Sequence, residues 1–230
     1  MKRILVLQSR TSERGIERER ANFTRAAQGA AELTFLSSVD EKLSWTNPDE
    51  LLREYDGIIF GGSSDFDFHG GRNERDPARL MSMIVLSRAK NIVAHARADG
   101  LPILGVCFGH QLIAQMHEGG VSNDTAQSKF GSYGVQLTEA GKSAVLFGSL
   151  SESFFAQYAH KDSVTDLPEG ATLLATGSAC RFSILRYGSS IYTTQFHPES
   201  ERMGSMERFH ESPEASQIIQ LWLEKIVRGG

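Results

Sequence analysis

Two short stretches of this 230-residue chain carry residue types suited to covalent chemistry. In Gly105-Val106-Cys107-Phe108-Gly109 a cysteine stands with a glycine two positions before it and another two after. The apolar run Leu101-Pro102-Ile103-Leu104 leads in, and Leu112-Ile113-Ala114 leads out. This fits a strand-to-helix elbow, in which the nucleophile adopts a strained backbone conformation and the glycines remove side chains that would clash. Such a turn lifts the sulfur above the strand ends and sets it at a helix N-terminus. There the helix dipole favours thiolate, lowering a pKa of about 8.5 in free cysteine. The competing reading is a small buried hydrophobe whose glycines only permit close packing. Cys180 has no comparable setting and reads as a core residue.

A cysteine nucleophile needs a base, and the base needs an orienting group. Gln195-Phe196-His197-Pro198-Glu199 supplies both. Proline biases the residue before it toward extended geometry, and residues two apart in an extended segment face the same way. His197 and Glu199 are then expected side by side, with one ring nitrogen on the carboxylate and the other free to face Cys107. Alone, His-Pro-Glu is equally compatible with a surface loop. Gly61-Gly62, at the end of another strand, offers unobstructed backbone N–H groups for a developing oxyanion, and the Phe108 N–H is the natural second donor.

Smaller signals carry less. Asp65-Phe66-Asp67-Phe68-His69 alternates like metal ligands but has no second cluster of matching spacing, so metal binding is not expected. His110 reads as a packing and hydrogen-bonding residue. The run Glu13 to Arg20 reads as a solvated helix face.

The elements that must position these residues follow from periodicity. Ile4–Leu7, Leu33–Leu36, Gly57–Phe60 and Pro102–Val106 read as strands. A helix is expected over 16–30, with Ile16, Phe23, Ala27 and Ala30 on its buried face. Another runs from the Asp76-Pro77 start to the Gly100 stop, with an apolar stripe of Leu80, Ile84, Val85, Ala89, Ile92 and Ala96. Gln111–His117 starts a helix directly after the elbow. This β-α alternation predicts an α/β fold with a mostly parallel sheet covered on both faces. Beyond about residue 130, short strands at 135–137, 154–158, 173–175, 182–187 and 191–195 predict a small antiparallel addition in the C-terminal half, with a hairpin turn at Gly188-Ser189. Ser212-Pro213 opens a last helix that buries Ile218, Leu221, Trp222 and Ile226. No repeat or linker divides the chain, so 1–230 reads as a single domain.

Composition restricts the function classes. The net charge of −4 gives no reason to expect nucleic acid or an anionic membrane as partner. The apolar runs are too short to span a bilayer, and the start lacks the features of a secretory signal. With two cysteines and no disulfide framework, a cytoplasmic setting is expected.

Together, Gly-Val-Cys-Phe-Gly-His-Gln and Gln-Phe-His-Pro-Glu resemble the class I (triad) glutamine amidotransferase family. The resemblance extends to Gly61-Gly62 and to Tyr158-Ala159-His160-Lys161-Asp162. It implies a flavodoxin-like core, a catalytic triad of Cys107, His197 and Glu199, and oxyanion donors from Gly62 and Phe108. It also implies substrate contacts from Gly61, Gln111 and His160. The implied reaction is hydrolysis of the γ-amide of glutamine to glutamate and ammonia through a γ-glutamyl thioester, with no metal or organic cofactor. Family members carry or dock on a synthase or synthetase that consumes the ammonia, and this chain is similar to free-standing members related to the glutaminase part of GMP synthase. Some of those relatives hydrolyse γ-glutamyl peptides instead. Ser63-Ser64 stands where better-known members have proline, and the Asp-, Gly- and Arg-rich loop 63–75 is expected beside the substrate pocket. A non-catalytic regulatory relative would leave triad positions unfilled. An α/β-hydrolase-type esterase would separate the acid from the histidine by a longer stretch.

Overall fold

The computed structural model describes residues 1–177, 180–203 and 209–229. The first half of the chain supplies four strands: β1 (Lys2–Gln8), with the apolar run Ile4–Leu7, the edge strand β2 (Ala31–Ser37), and the wholly buried β3 (Gly57–Phe60) and β4 (Ile103–Val106). All four residues of β3 and of β4 are buried, as strands covered on both faces require. Between them run α1 (Glu13–Ala27), the short α2 (Asp49–Leu52) and α3 (Pro77–Ala98), and α4 (Phe108–Met116) follows β4.

The second half adds β5 (Val121–Ser122), β6 (Lys129–Leu137), α5 (Glu139–Lys142), β7 (Ser153–His160), β8 (Ser163–Val164), β9 (Ala171–Thr176), β10 (Ile184–Tyr187), β11 (Ile191–Thr194) and α6 (Pro213–Trp222). One nine-stranded sheet runs β2-β1-β3-β4-β11-β10-β9-β6-β7, and β5 and β8 form a separate antiparallel pair. Pairing is parallel from β2 to β11 and antiparallel from β11 to β7. The α/β class, the parallel core and the antiparallel addition thus match the expectation. The expected hairpin joins β10 to β11, with Gly188 supplying a φ of 61°.

Alternation along β1 sends Ile4 and Val6 to one face and Leu5 and Leu7 to the other. The first face packs Phe23 of α1 and Ile218 and Trp222 of α6. The second packs Val85, Ala89 and Ile92 of α3 and Phe108 and Ile113 of α4.

Several sequence expectations need correction. Helix α1 starts earlier and ends at Ala27, because Gln28 and Gly29 take left-handed φ values of 45° and 74°. Its charged run is not wholly solvated: Glu19 is 2% exposed and shares a buried stripe with Gly15, Phe23 and Ala27. On α3, Leu80 and Ile84 lie on the open side, 53% and 45% exposed. The buried stripe is Ser82, Val85, Leu86, Ala89, Ile92, Val93 and Ala96. Strand β6 begins six residues before the expected segment, because Lys129–Gly134 pair in register with β7 despite their polar sequence. After α6 the chain continues as a π turn, Leu223–Val227, which buries Leu223 and Val227 and leaves Leu221 and Ile226 only partly covered. Cys180 is buried as expected, and burial pushes its thiol up to about 11. Its neighbours Ser178 and Ala179 lie outside the described residues.

Two outcomes follow from this packing. A Cβ on Gly109 would sit 2.3 Å from the Phe60 carbonyl oxygen, so Gly109→Ala should destabilise the protein by at least about 1–3 kcal/mol in denaturant melts. His110 is fully buried with Nδ1 2.8 Å from Thr193 Oγ1, and burial depresses its pKa to about 3. The unfolded chain, near the ordinary value of about 6.5, then binds more protons than the native one. This contribution is complete above about pH 6.5 and is lost as pH falls toward 3. Stability measured against pH should lose about one proton's worth of that acid slope in His110→Asn.

Candidate active site

Cys107 sits between β4 and α4 with φ 52° and ψ −99°, a positive-φ conformation at a non-glycine residue. The flanking glycines are explained by contact. A Cβ on Gly105 would lie 2.8 Å from the Gly109 carbonyl oxygen, and one on Gly109 would strike Phe60. The elbow is therefore a close crossing of three backbones, and Gly109 N–H donates to the Gly61 carbonyl at 3.2 Å. Cys107 is 3% exposed and lines a pocket of about 460 Å³, within the range of small-molecule sites.

The same pocket is lined by His197. Cys107 and His197 lie ninety positions apart but follow adjacent parallel strands: Thr194 pairs with Val106, and Cys107 N–H donates to the Thr194 carbonyl at 2.8 Å. His197 Nδ1 is 2.7 Å from Glu199 Oε1, with both side chains buried. The pairing was expected from an extended segment, but the chain makes it with a turn. Ser200 N–H donates back to the His197 carbonyl, folding Glu199 under the ring. Burial opposes an imidazolium at His197, yet the charges of Glu199 and Cys107 and hydrogen bonds to both prevail and raise its pKa well above the ordinary value.

The glycine pair behaves differently from expectation. Gly61 N–H donates to the Leu7 carbonyl and its own carbonyl accepts from Gly109, so both of its backbone polar groups are engaged in holding the elbow. Gly62 lies against Cys107 and His197: a Cβ there would be 2.9 Å from His197 Cε1 and 3.5 Å from Cys107 Cβ. Its N–H, however, donates to the buried Glu19 Oε1 at 3.1 Å. Phe108 opens α4, where a helix leaves its first N–H groups without intrahelical acceptors.

Gln111 and His160, for which the resemblance implies substrate contact, both line the pocket. Gln111 Nε2 donates to the Asp162 carbonyl at 2.7 Å, so this side chain also anchors the 160–163 segment. His160 Nδ1 faces the same carbonyl at 2.9 Å, while its buried Nε2 has no hydrogen-bond partner among the described residues. Burial lowers its pKa to about 4, leaving a neutral ring at the pocket wall. The resemblance named Asp162 together with His160, but not what it holds: its carboxylate accepts from His69 N–H at 2.7 Å and Gly70 N–H at 2.6 Å. It ties loop 63–75 down over the elbow, where the Phe68 ring stacks on Phe108 at 5.3 Å. Sequence reasoning also missed Glu19 and Arg10. The spacing of Gly15, Glu19, Phe23 and Ala27 is a helical stripe that could have shown Glu19 to be inside.

The acidic residues of loop 63–75 have other partners. Asp65 accepts from Thr11 N–H at 2.6 Å, and Asp67 pairs with Arg72 at 3.1 Å. Among the described residues, no group of three or more His, Cys, Asp or Glu could hold a metal ion, and no helix is long and apolar enough to cross a membrane.

Comparison with known proteins agrees with this geometry. The glutamine amidotransferase class-I family profile matches residues 37–209. The chain is 36% identical over 151 residues to a subunit of the glutamine-hydrolyzing GMP synthase of Methanocaldococcus jannaschii, covering 65% of this chain and 68% of that protein. It is 30% identical over 183 residues to the subunit of the same name in Methanothermobacter thermautotrophicus, covering 78% and 86%. In fold it is similar to the crystal structure of a protein described as a GMP synthase subunit from Thermoplasma acidophilum. That match has a TM-score of 0.71 at 20% identity and covers 100% of this chain and 95% of the other. With its elbow, its paired strand ends and these matches, the chain belongs to the class-I glutamine amidotransferase family.

Proposed function

We propose that this protein hydrolyses the γ-amide of glutamine to glutamate and ammonia, with Cys107 as nucleophile, His197 as acid and base and Glu199 as its orienting group. One observation carries the reading: a cysteine in a strained elbow beside a buried histidine whose Nδ1 is 2.7 Å from a buried carboxylate. In this reading the Cys107 sulfur attacks the γ-carbon, and the carbonyl oxygen becomes an oxyanion beside Phe108 N–H. His197 delivers a proton to the nitrogen, ammonia leaves and a γ-glutamyl thioester remains. Water then attacks with His197 taking its proton, and the second tetrahedral intermediate releases glutamate and the free thiol. Glu199 holds the ring in one tautomer and stabilises the imidazolium. Gln111 and His160 bound the space for the glutamyl portion.

The names of the relatives support a synthetase partner that consumes the ammonia. The same reading takes 1–230 as one domain, since a single sheet carries strands from both halves. A second reading, hydrolysis of γ-glutamyl peptides, draws support from the pocket rim. There Phe130 lines the opening with 65% of its surface exposed, a place for a leaving group larger than ammonia.

Glutamate release from glutamine and from γ-glutamyl dipeptides separates these readings. Cys107→Ala should abolish release from either while melting at the wild-type temperature. Glu199→Gln should lower kcat by about 10⁴-fold, as when a catalytic imidazole loses the carboxylate that fixes its tautomer. Absence of turnover on both substrates by the wild type, with no thioester trapped at Cys107, would refute the assignment.

A further inference from the structure

Glu19 is a buried carboxylate that the proposed chemistry does not use. Three groups converge on it. Gly62 N–H donates to Oε1 at 3.1 Å, Gln8 Nε2 donates to Oε2 at 3.0 Å, and Arg10 Nε lies 3.0 Å from Oε1. Successive residues of the glycine pair face opposite ways. A Cβ on Gly61 would strike Glu19 Oε1 at 2.9 Å, whereas one on Gly62 would meet His197 and, at 3.2 Å, Arg10 Nη2. Arg10 is 6% exposed, lines the pocket and donates through Nη1 to Ser64 Oγ at 3.1 Å. Burial pushes the Glu19 pKa up, and the nearby Arg10 charge and Gln8 hydrogen bond act against that. The Glu199 charge also reaches Glu19, so this carboxylate belongs to the same electrostatic neighbourhood as the triad.

A single N–H cannot fully serve both a carboxylate and an oxyanion. A negative Glu19 would also repel the charge that develops above Cys107, and Arg10 is the cation placed to offset it. We propose that Glu19 is a positioning residue that holds the Gly62 amide in a resting orientation, and that turnover requires this hydrogen bond to be given up to the oxyanion. The Gly62 donor is then conditional, while the Phe108 donor at the helix start is permanent. This rests on the proposed amide hydrolysis, but its resting-state half concerns a hydrogen bond that can be measured without substrate.

Glu19→Gln keeps the shape and replaces a charged acceptor by a weaker neutral one. Amide hydrogen exchange at Gly62 should quicken. The kcat for glutamine should rise about three- to tenfold with KM unchanged, a partial recovery of the 10²–10³ that one oxyanion donor is worth. Glu19→Asp, one methylene shorter, retains the charge beside Arg10 but withdraws from Gly62. It should also speed Gly62 exchange and serves if the glutamine variant does not fold. Arg10→Gln should lower kcat, because the Glu19 charge is left uncompensated, and Arg10→Lys should recover part of the loss. A folded Glu19 variant with slower turnover and unchanged Gly62 exchange overturns the proposal, since a purely structural role predicts that pattern. A wild-type enzyme inactive on every γ-glutamyl amide would instead overturn the function, while the exchange measurement would still judge the resting bond.

Discussion

The parallel pairing of β4 with β11 is the interaction on which the site depends. Its register sets Thr194 beside Val106, and the next ladder bond, Cys107 N–H to the Thr194 carbonyl, ties Cys107 to the strand that leads to His197. A shift by one residue would turn the side chains of β11 to the opposite face of the sheet and carry His197 away from the sulfur. The register is held from both sides. Ile191, Tyr192, Thr193 and Thr194 are all buried, and the antiparallel partner β10 closes the other edge of β11 through a tight hairpin.

Around that pairing the fold brings backbone unusually close to backbone. Gly105, Gly109, Gly61 and Gly62 crowd the ends of β3 and β4. Each is a position where a methyl group would meet a carbonyl, a buried carboxylate or the His197 ring. The strain of a positive φ at Cys107 is sustained by this crowding, because the surrounding ladder leaves the residue no other conformation. Glycine thus serves two ends here: it lets the elbow form, and it lets three chain segments approach one another closely.

Several polar residues of the pocket wall, Gln111, His160 and Asp162 among them, are buried, which is costly unless each group finds a partner. Gln111 and His160 share the Asp162 carbonyl, and the Asp162 carboxylate caps two N–H groups of loop 63–75. Phe66 and Phe68 then close over Phe108, placing an apolar lid beside a polar site. Such shielding strengthens the attraction between His197 and Glu199, since the low local dielectric leaves little water to screen it.

Much of this was legible in the residues. The elbow announced itself because a strained turn admits few sequences, and the His-Pro-Glu pair because its two groups are local to one another. Parallel strands showed as continuous apolar runs, and the cap of α3 as Asp-Pro. What the chain alone could not disclose was whatever depended on a distant partner. Glu19 looked like one charge in a solvated run, and only Arg10, Gln8 and Gly62 assembled around it make its burial tolerable. The start of β6 is polar and reads as loop until β7 supplies its ladder. Gly62 looked like a free donor until α1 packed a carboxylate against it. Local sequence determined which backbone shapes and which chemistry were available. Tertiary structure decided which of those groups meet, because hydrogen bonds and charge pairs between remote segments exist only once the sheet has set their separation.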